Sequence, residues 1–214
     1  MTIYNPARFS VSDLEKSFQF MESHPFATVI SISEGLPVIS HLPLVAKREG
    51  DEFVLIGHLA RANPHARVLA EGAGATAIFH GPHAFITPKW YAHDDVPTWN
   101  YSTVHTVGQV TVIDEYEGIV ECLRELSAAA ERKWPSGWEF FVPEDLAREK
   151  LSKHILGFKI RVETLQHENK MGQKLSTEDQ AGVIAGLTDR GDDNALAVRN
   201  AILELFPELA DLAL

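Results

Sequence analysis

The sequence predicts an α+β fold, an antiparallel barrel of five or six short strands with peripheral helices and a helical extension at the C terminus. Two observations carry this expectation. Residues 26–58 are rich in β-branched and aromatic residues cut by short turn signals, the mark of a strand meander. After residue 166 the pattern changes to two capped, amphipathic stretches of helical period.

The elements follow in order. Ser12-Asp13-Leu14-Glu15 reads as a capping box, and Leu14, Phe18 and Met21 recur at helical spacing, so a first helix is expected from about residue 13 to His24. Pro25 ends it. Strands are expected at Phe26 to Ile32, Pro37 to Leu44 and Phe53 to His58, with turns at Glu34-Gly35 and Glu49-Gly50-Asp51. Asn63 and Pro64 suit the cap and first position of a short helix to Ala70. A strand at Ala75 to His80, another at Tyr101 to Ile113 and a last one at Ile155 to Leu165 complete the barrel, since five or six such strands close most readily on themselves. Helices are expected at about 117–133 and 143–150. Thr177-Glu178-Asp179-Gln180 reads as a second capping box, and Asn194 as the cap of a terminal helix. The division is thus 1–165 for the barrel domain and 166–214 for the extension, which must bury its apolar faces on the barrel or on a second subunit.

Composition narrows the function. Apolar residues make up 45% of the chain, enough for a substantial core without staples. The single Cys122 cannot form an internal disulfide, and no run approaches the roughly 18 apolar residues of a membrane span. The opening residues lack a charged stretch followed by an apolar one, so a cytoplasmic protein is expected, with no membrane partner. Thirty acidic against nineteen basic residues give a net charge of −11, and the only helix pair that could form a helix-turn-helix carries Glu178, Asp179, Asp192, Asp193 and Glu204. Both facts argue against direct nucleic-acid binding.

Several segments could carry chemistry. Gly57-His58-Leu59-Ala60-Arg61-Ala62-Asn63-Pro64 outlines an anion site, because helix N-terminal amides and a guanidinium fork suit a phosphate. The competing reading is that Asn63 merely caps its helix while Arg61 pairs with a carboxylate. His80 to Tyr91 and Val96 to Tyr101 set aromatic residues among prolines, either the wall of a pocket for a planar heterocycle or a plug for the end of the barrel. His80 and His83 have loose metal-ligand spacing, but there is no HExxH motif and no second cysteine, so no metal is expected. Ser40 beside His41 and Ser102 near His105 lack the GxSxG elbow of a hydrolase.

Six segments in this order resemble the PaiB-type family of FMN-binding split-barrel proteins. They are Ile3-Tyr4-Asn5-Pro6-Ala7-Arg8-Phe9, His24-Pro25-Phe26-Ala27-Thr28, Ser40-His41-Leu42-Pro43, Gly57 to Pro64, Phe79-His80-Gly81-Pro82-His83 and Val96-Pro97-Thr98-Trp99-Asn100-Tyr101. The resemblance runs from Tyr4 to about Leu187. It implies a split β-barrel related to pyridoxamine phosphate oxidases and flavin reductases, with FMN bound by a homodimer. It further implies that His41, His58, Arg61 and Asn63 hold the phosphate and ribityl chain, that Trp99, Asn100 and Ser102 approach the flavin ring, and that Lys170 and Gln173 complete the set of cofactor-binding residues. Two segments depart from the family pattern. Its Ile-Ser-Pro-Ser-Trp-Tyr is here Ile86-Thr87-Pro88-Lys89-Trp90-Tyr91, and its Lys-Leu-Ser-Gln-Asn-Arg is here Lys170-Met171-Gly172-Gln173-Lys174. The functions left open are an FMN-binding protein that regulates transcription indirectly and negatively, and an FMN-dependent oxidoreductase acting on a small molecule. A third is a haem-binding or haem-degrading barrel with His80, His83 or His154 as axial ligand.

Overall fold

The computed structural model describes residues 5–142 and 151–212, so the helix expected at 143–150 lies outside the described residues. Seven strands form one antiparallel sheet: β1 (Phe26–Ser33), β2 (Leu36–Pro43), β3 (Val45–Glu49), β4 (Glu52–Ala60), β5 (Ala75–Ile86), β6 (Thr98–Ile113) and β7 (Ile155–Lys170), in the order β2-β1-β5-β6-β7-β4-β3. The longer helices among the described residues are α1 (Leu14–Ser23), α2 (Pro64–Ala70), α3 (Tyr116–Lys133), α4 (Thr177–Arg190) and α5 (Asp193–Leu205), with short helical turns at Pro88–Trp90, Ser152–His154 and Pro207–Leu212.

The chain gathers into two compact units. The larger comprises residues 13–79 and 104–165, and the smaller residues 5–12, 80–103 and 166–212 among those described. In the larger unit, β2 and β3 occupy opposite ends of the sheet order, yet only Leu44 separates them in the chain. Two strands joined by a single residue cannot lie a sheet-width apart, so the sheet curls into a barrel. The sequence reading had run one strand from Pro37 to Leu44 and had no strand at 45–49. Instead the Leu44 amide closes the end of the β1–β2 ladder by donating to the Pro25 carbonyl at 2.8 Å, and Val45 restarts as the partner of Ile56. Glu34 and Gly35, with φ of 52° and 79°, make the tight β1–β2 turn that positive φ at both central residues favours.

Inward residues alternate as a half-buried strand requires. Ala27, Val29 and Ser31 of β1 are buried, and so are Ala75, Ala77 and Phe79 of β5. They pack with Leu44, Leu55, Phe158 and Ile160 into the barrel core. The absence of a side chain at Gly57 is part of that packing, since a Cβ there would stand 2.5 Å from Leu44 and 2.8 Å from Phe158.

In the smaller unit, β5, β6 and β7 run on past their expected ends, to Ile86, back to Thr98 and to Lys170. The N-terminal residues lie along β7: Asn169 donates its amide to Phe9 O at 2.8 Å, and Val11 donates to His167 O at 3.0 Å. The helical extension finds its apolar partners inside this unit. Val183, Ile184 and Leu187 of α4 and Val198 and Ile202 of α5 bury against Ala84, Ile86 and Met171, with Trp90 and Tyr91 packed beside them.

Three caps fall one or two residues away from their expected positions. Asp13, not Ser12, caps α1 by accepting from the amides of Glu15 and Lys16. Ser176, not Thr177, caps α4, and Asp192, not Asn194, caps α5. In each case the side chain that reaches an early amide is the one whose own backbone is still extended.

Candidate functional site

The nine residues expected to hold a cofactor divide between the units. His41, His58, Arg61 and Asn63 belong to the larger, and Trp99, Asn100, Ser102, Lys170 and Gln173 to the smaller.

In the larger unit, Asn63 caps α2 by accepting from the His65 amide at 3.0 Å, and Pro64 takes the first helical position, as the sequence dictates. The other end of the Asn63 amide donates to Ser40 Oγ at 3.1 Å, and Ser40 Oγ lies 3.0 Å from His65 Nδ1. One serine therefore ties β2 to the start of α2. Adjacent residues on a strand face opposite ways, so Ser40 meets His65 rather than its neighbour His41. His41 is exposed, with Nδ1 3.2 Å from Thr28 Oγ1. His58 Nδ1 and His65 Nε2 are buried without a partner, and burial pushes both imidazoles below their usual range, which keeps them neutral. Arg61 spends its fork within the chain: Nε donates to Ser152 O at 3.0 Å and a terminal nitrogen pairs with the Asp114 carboxylate. That is the helix-cap and ion-pair arrangement weighed against a phosphate site in the sequence.

In the smaller unit a cavity of about 400 Å³ opens between the N-terminal segment, the start of β6, the end of β7 and the turn after it. Asn100 lies on its wall, only 1% exposed, with neither amide atom hydrogen-bonded. Nearby, the Tyr101 hydroxyl donates to the buried Glu168 carboxylate at 2.9 Å. Lys170 Nζ donates to Thr98 Oγ1 at 2.6 Å and stands 6.0 Å from the Tyr101 ring. Desolvation lowers the Lys170 pKa, opposed more weakly by the Glu168 charge.

Gln173 shapes the floor of this cavity. Its side chain accepts from the Met171 amide at 2.8 Å and donates to the Asn169 carbonyl, which closes the turn. Gly172 sits in that turn at φ 82°, a conformation that glycine adopts freely, and it stands where the family pattern has serine. Ser102 Oγ donates to Glu168 O and approaches His167 Nε2, both at 3.3 Å, so its histidine neighbour is not His105. Trp99 points elsewhere. It is 53% exposed and forms an aromatic wall with Phe85 edge-on at 6.0 Å and His83 at 6.4 Å.

Among the nine residues, the structure thus brings Asn100, Lys170 and Gln173 together on one cavity, with Trp99 and Ser102 in the same unit. Sequence reasoning gave no role to Arg8, Thr98, Glu168 or Lys174, which also line it. Arg8 lay within a segment that carried the family resemblance. What hid its place was the pairing of the N-terminal segment with β7, a contact across some 160 residues of chain. Among the described residues no group of three or more His, Cys, Asp or Glu side chains could hold a metal ion. No helix among them is long and apolar enough to cross a membrane.

Comparison with known proteins decides the family. Residues 3–164 match the family model described as "Putative FMN-binding domain". The chain belongs to the PaiB-type FMN-binding split-barrel family. Over 194 residues it is 34% identical to Protease synthase and sporulation protein PAI 2 of Bacillus subtilis, covering 90% of this chain and 93% of that protein. Among solved structures it is similar to the FAD and haem binding protein of Mycobacterium smegmatis, with TM-score 0.57 at 21% identity, covering 80% of this chain and 78% of that one. It is also similar to the flavocytochrome Anf3 of Azotobacter vinelandii, with TM-score 0.54 at 16% identity, covering 75% and 69%. Identities this low establish a shared split-barrel fold and nothing finer.

Proposed function

We infer that this chain binds FMN as a homodimer and uses it in redox chemistry on a small molecule. The observation that carries the reading is the Trp99 wall: a large indole left more than half exposed, buttressed by Phe85 and His83, is a surface that a flat heterocycle can cover. The residues present suit a flavin. His58 Nδ1 and His65 Nε2 are buried polar atoms awaiting partners, and both rings stay uncharged. On the family pattern, His41, His58, Arg61 and Asn63 are the contacts proposed for the phosphate and ribityl chain, with Arg61 exchanging Asp114 for the phosphate. Ser102 and Gln173, whose polar groups are committed within the chain, act as supports.

Bound FMN supplies hydride and single-electron chemistry, and the protein's part is to orient it and to admit the reacting molecule. A dimer is supported by the outer face of the β1–β2 hairpin, where Phe26, Ile32 and Ile39 are exposed on the side opposite Ala27, Val29 and Ser31, apolar surface that a second copy would cover. A role in transcription would then be indirect, because the acidic α4–α5 pair is a poor match for DNA.

The test is a visible-spectrum titration of the flavin-free protein with FMN, run beside Trp99→Leu. Saturable binding that weakens about tenfold or more in the variant is expected from losing a stacking face. Absence of binding by folded protein would overturn the reading.

A further inference from the structure

The cavity in the smaller unit has chemistry of its own. Asn100 presents an unpaired donor and an unpaired acceptor side by side, both buried. A buried amide left this way is unfavourable until something pairs with it. The matching shape is another amide edge, a carbonyl beside an N–H, as found in a lactam or imide ring.

The same walls carry Arg8, Lys170 and Lys174. Among the described residues none of the three has a carboxylate oxygen within ion-pair distance. Arg8 lies over the Phe9 ring at 4.8 Å, and Lys170 has spent one of its three protons on Thr98. The two acidic residues on the wall are engaged otherwise, Glu168 accepting from Tyr101 and Asp95 accepting from the Val96 amide at 2.7 Å. With three cations against two carboxylates the wall keeps a positive balance in a chain of net charge −11, and such a recess attracts an anion. Phe9, Pro97 and Leu175 supply apolar surface, and about 400 Å³ is near the small end of the range for ligand pockets, room for a single ring with its substituents.

We propose that this cavity binds a small planar organic anion bearing an amide edge. Asn100 pairs with the edge, and Lys170, assisted by Arg8 and Lys174, holds the carboxylate. The inference rests on the flavin reading only for the ligand's role as the flavin's substrate; the binding is measurable without it.

The experiment is isothermal titration of the whole protein, flavin-free and FMN-saturated, with three probes. Orotate has both an imide edge and a carboxylate, uracil has the edge alone, and benzoate has the carboxylate alone. Orotate should bind saturably at one site, about tenfold or more tighter than either of the others. Lys170→Met should bring orotate down to the level of uracil. Asn100→Leu should bring it down to the level of benzoate, and its melting temperature should hold or rise, because an unpaired buried amide has been replaced by an apolar group of similar size. Circular dichroism confirms that each variant is folded, and the two variants act on different atoms, so misfolding of one leaves the other decisive. Equal affinity for the three probes, no saturation with orotate, or unchanged orotate binding in a folded variant would overturn the proposal. Displacement of orotate by FMN would overturn it as well, by assigning the cavity to the flavin itself. Failure of FMN to bind while orotate still does would remove the flavin reading and leave this one standing.

Discussion

The two units treat buried polar groups differently. In the larger, they are knitted into the frame: Ser40, Asn63 and His65 satisfy one another, and Arg61 is held by Ser152 and Asp114. Among the described residues, the buried side-chain atoms left unpaired there are a single ring nitrogen on each of two histidines, together with isolated atoms of Ser31 and Glu125. In the smaller unit a whole amide is unpaired, and among the described residues the cations beside it outnumber the carboxylates on the same wall. The first pattern holds strands in register. The second makes sense when a ligand completes it, because a polar group kept dry and unpaired weakens the fold that carries it. One network is closed on itself and the other is left open, and the contrast can be tested by perturbing each unit in turn.

Backbone crowding should give the largest effect. A Cβ at Gly108 would stand 2.0 Å from the Arg161 carbonyl oxygen on the neighbouring strand, and neither backbone can yield. Gly108→Ala should cost about 3 kcal/mol or more, at or beyond the top of the overpacking range. In the smaller unit a Cβ at Gly186 would stand 2.3 Å from the Trp90 indole, a side chain that can move. Gly186→Ala should cost about 1–2 kcal/mol, since overpacking is partly offset by the better helix propensity of alanine. Urea denaturation followed by circular dichroism measures both, and equal losses would show that the barrel backbone is no stiffer than the helical packing.

Acid should separate the units next. Burial is the main cause that holds His24, His58 and His65, all in the larger unit, below the ordinary imidazole value of 6.5. Each binds its proton less readily folded than unfolded, so stability falls as pH drops through about 6.5 toward the folded values. In the smaller unit Asp179 is shifted down from 3.8, chiefly by its hydrogen bond from Ser176 and then by those from Ala92 and His93. Its contribution is present above 3.8 and is lost only as pH falls through the lower folded value. Urea midpoints between pH 7.5 and 5.5 should therefore fall in the wild type and fall less in His58→Gln combined with His65→Gln. Asp179→Asn should leave that slope unchanged and lower the midpoint at every pH above about 4. A slope that follows Asp179→Asn instead would reverse the assignment.

The smallest effect expected is none at all. Cys122 is buried on α3 with Sγ 3.3 Å from Gly57 O, and burial pushes its thiol up to about 12. Iodoacetamide at pH 8 should leave the native thiol unlabelled and label it fully in urea. Labelling of the native protein would mean that the larger unit opens at α3.

Much of this was legible in the sequence, and what was missed has a common cause. Local signals gave α1, α2, α3 and the β1–β2 hairpin within a few residues, because caps, prolines and period act over a single turn. β3 escaped notice because its pairing with β4 is set by the bend at Leu44, and the charged Lys47-Arg48 pair in its middle breaks the apolar pattern of a strand. The expected strand ended at His80, yet β5 runs on to Ile86 with Pro82 inside it, a residue that ordinarily argues against a strand interior. At the candidate site, the identity of Asn100 and Lys170 came from the family pattern. The unpaired amide of Asn100 could not have come from any pattern, since it depends on which side chains the fold brings near. Arg8 shows the same limit, as its place on the cavity follows from the N-terminal segment lying along β7.

The measurement that bears most directly on the account is FMN titration of the purified protein and of Arg61→Ala, with the solution mass read by light scattering in the same samples. The account predicts saturable binding by a particle of twice 23.8 kDa, weakened in the variant as Arg61 can no longer turn from Asp114 to the phosphate. A folded dimer that takes up no FMN, or an Arg61→Ala variant that binds it as tightly as the wild type, would contradict it.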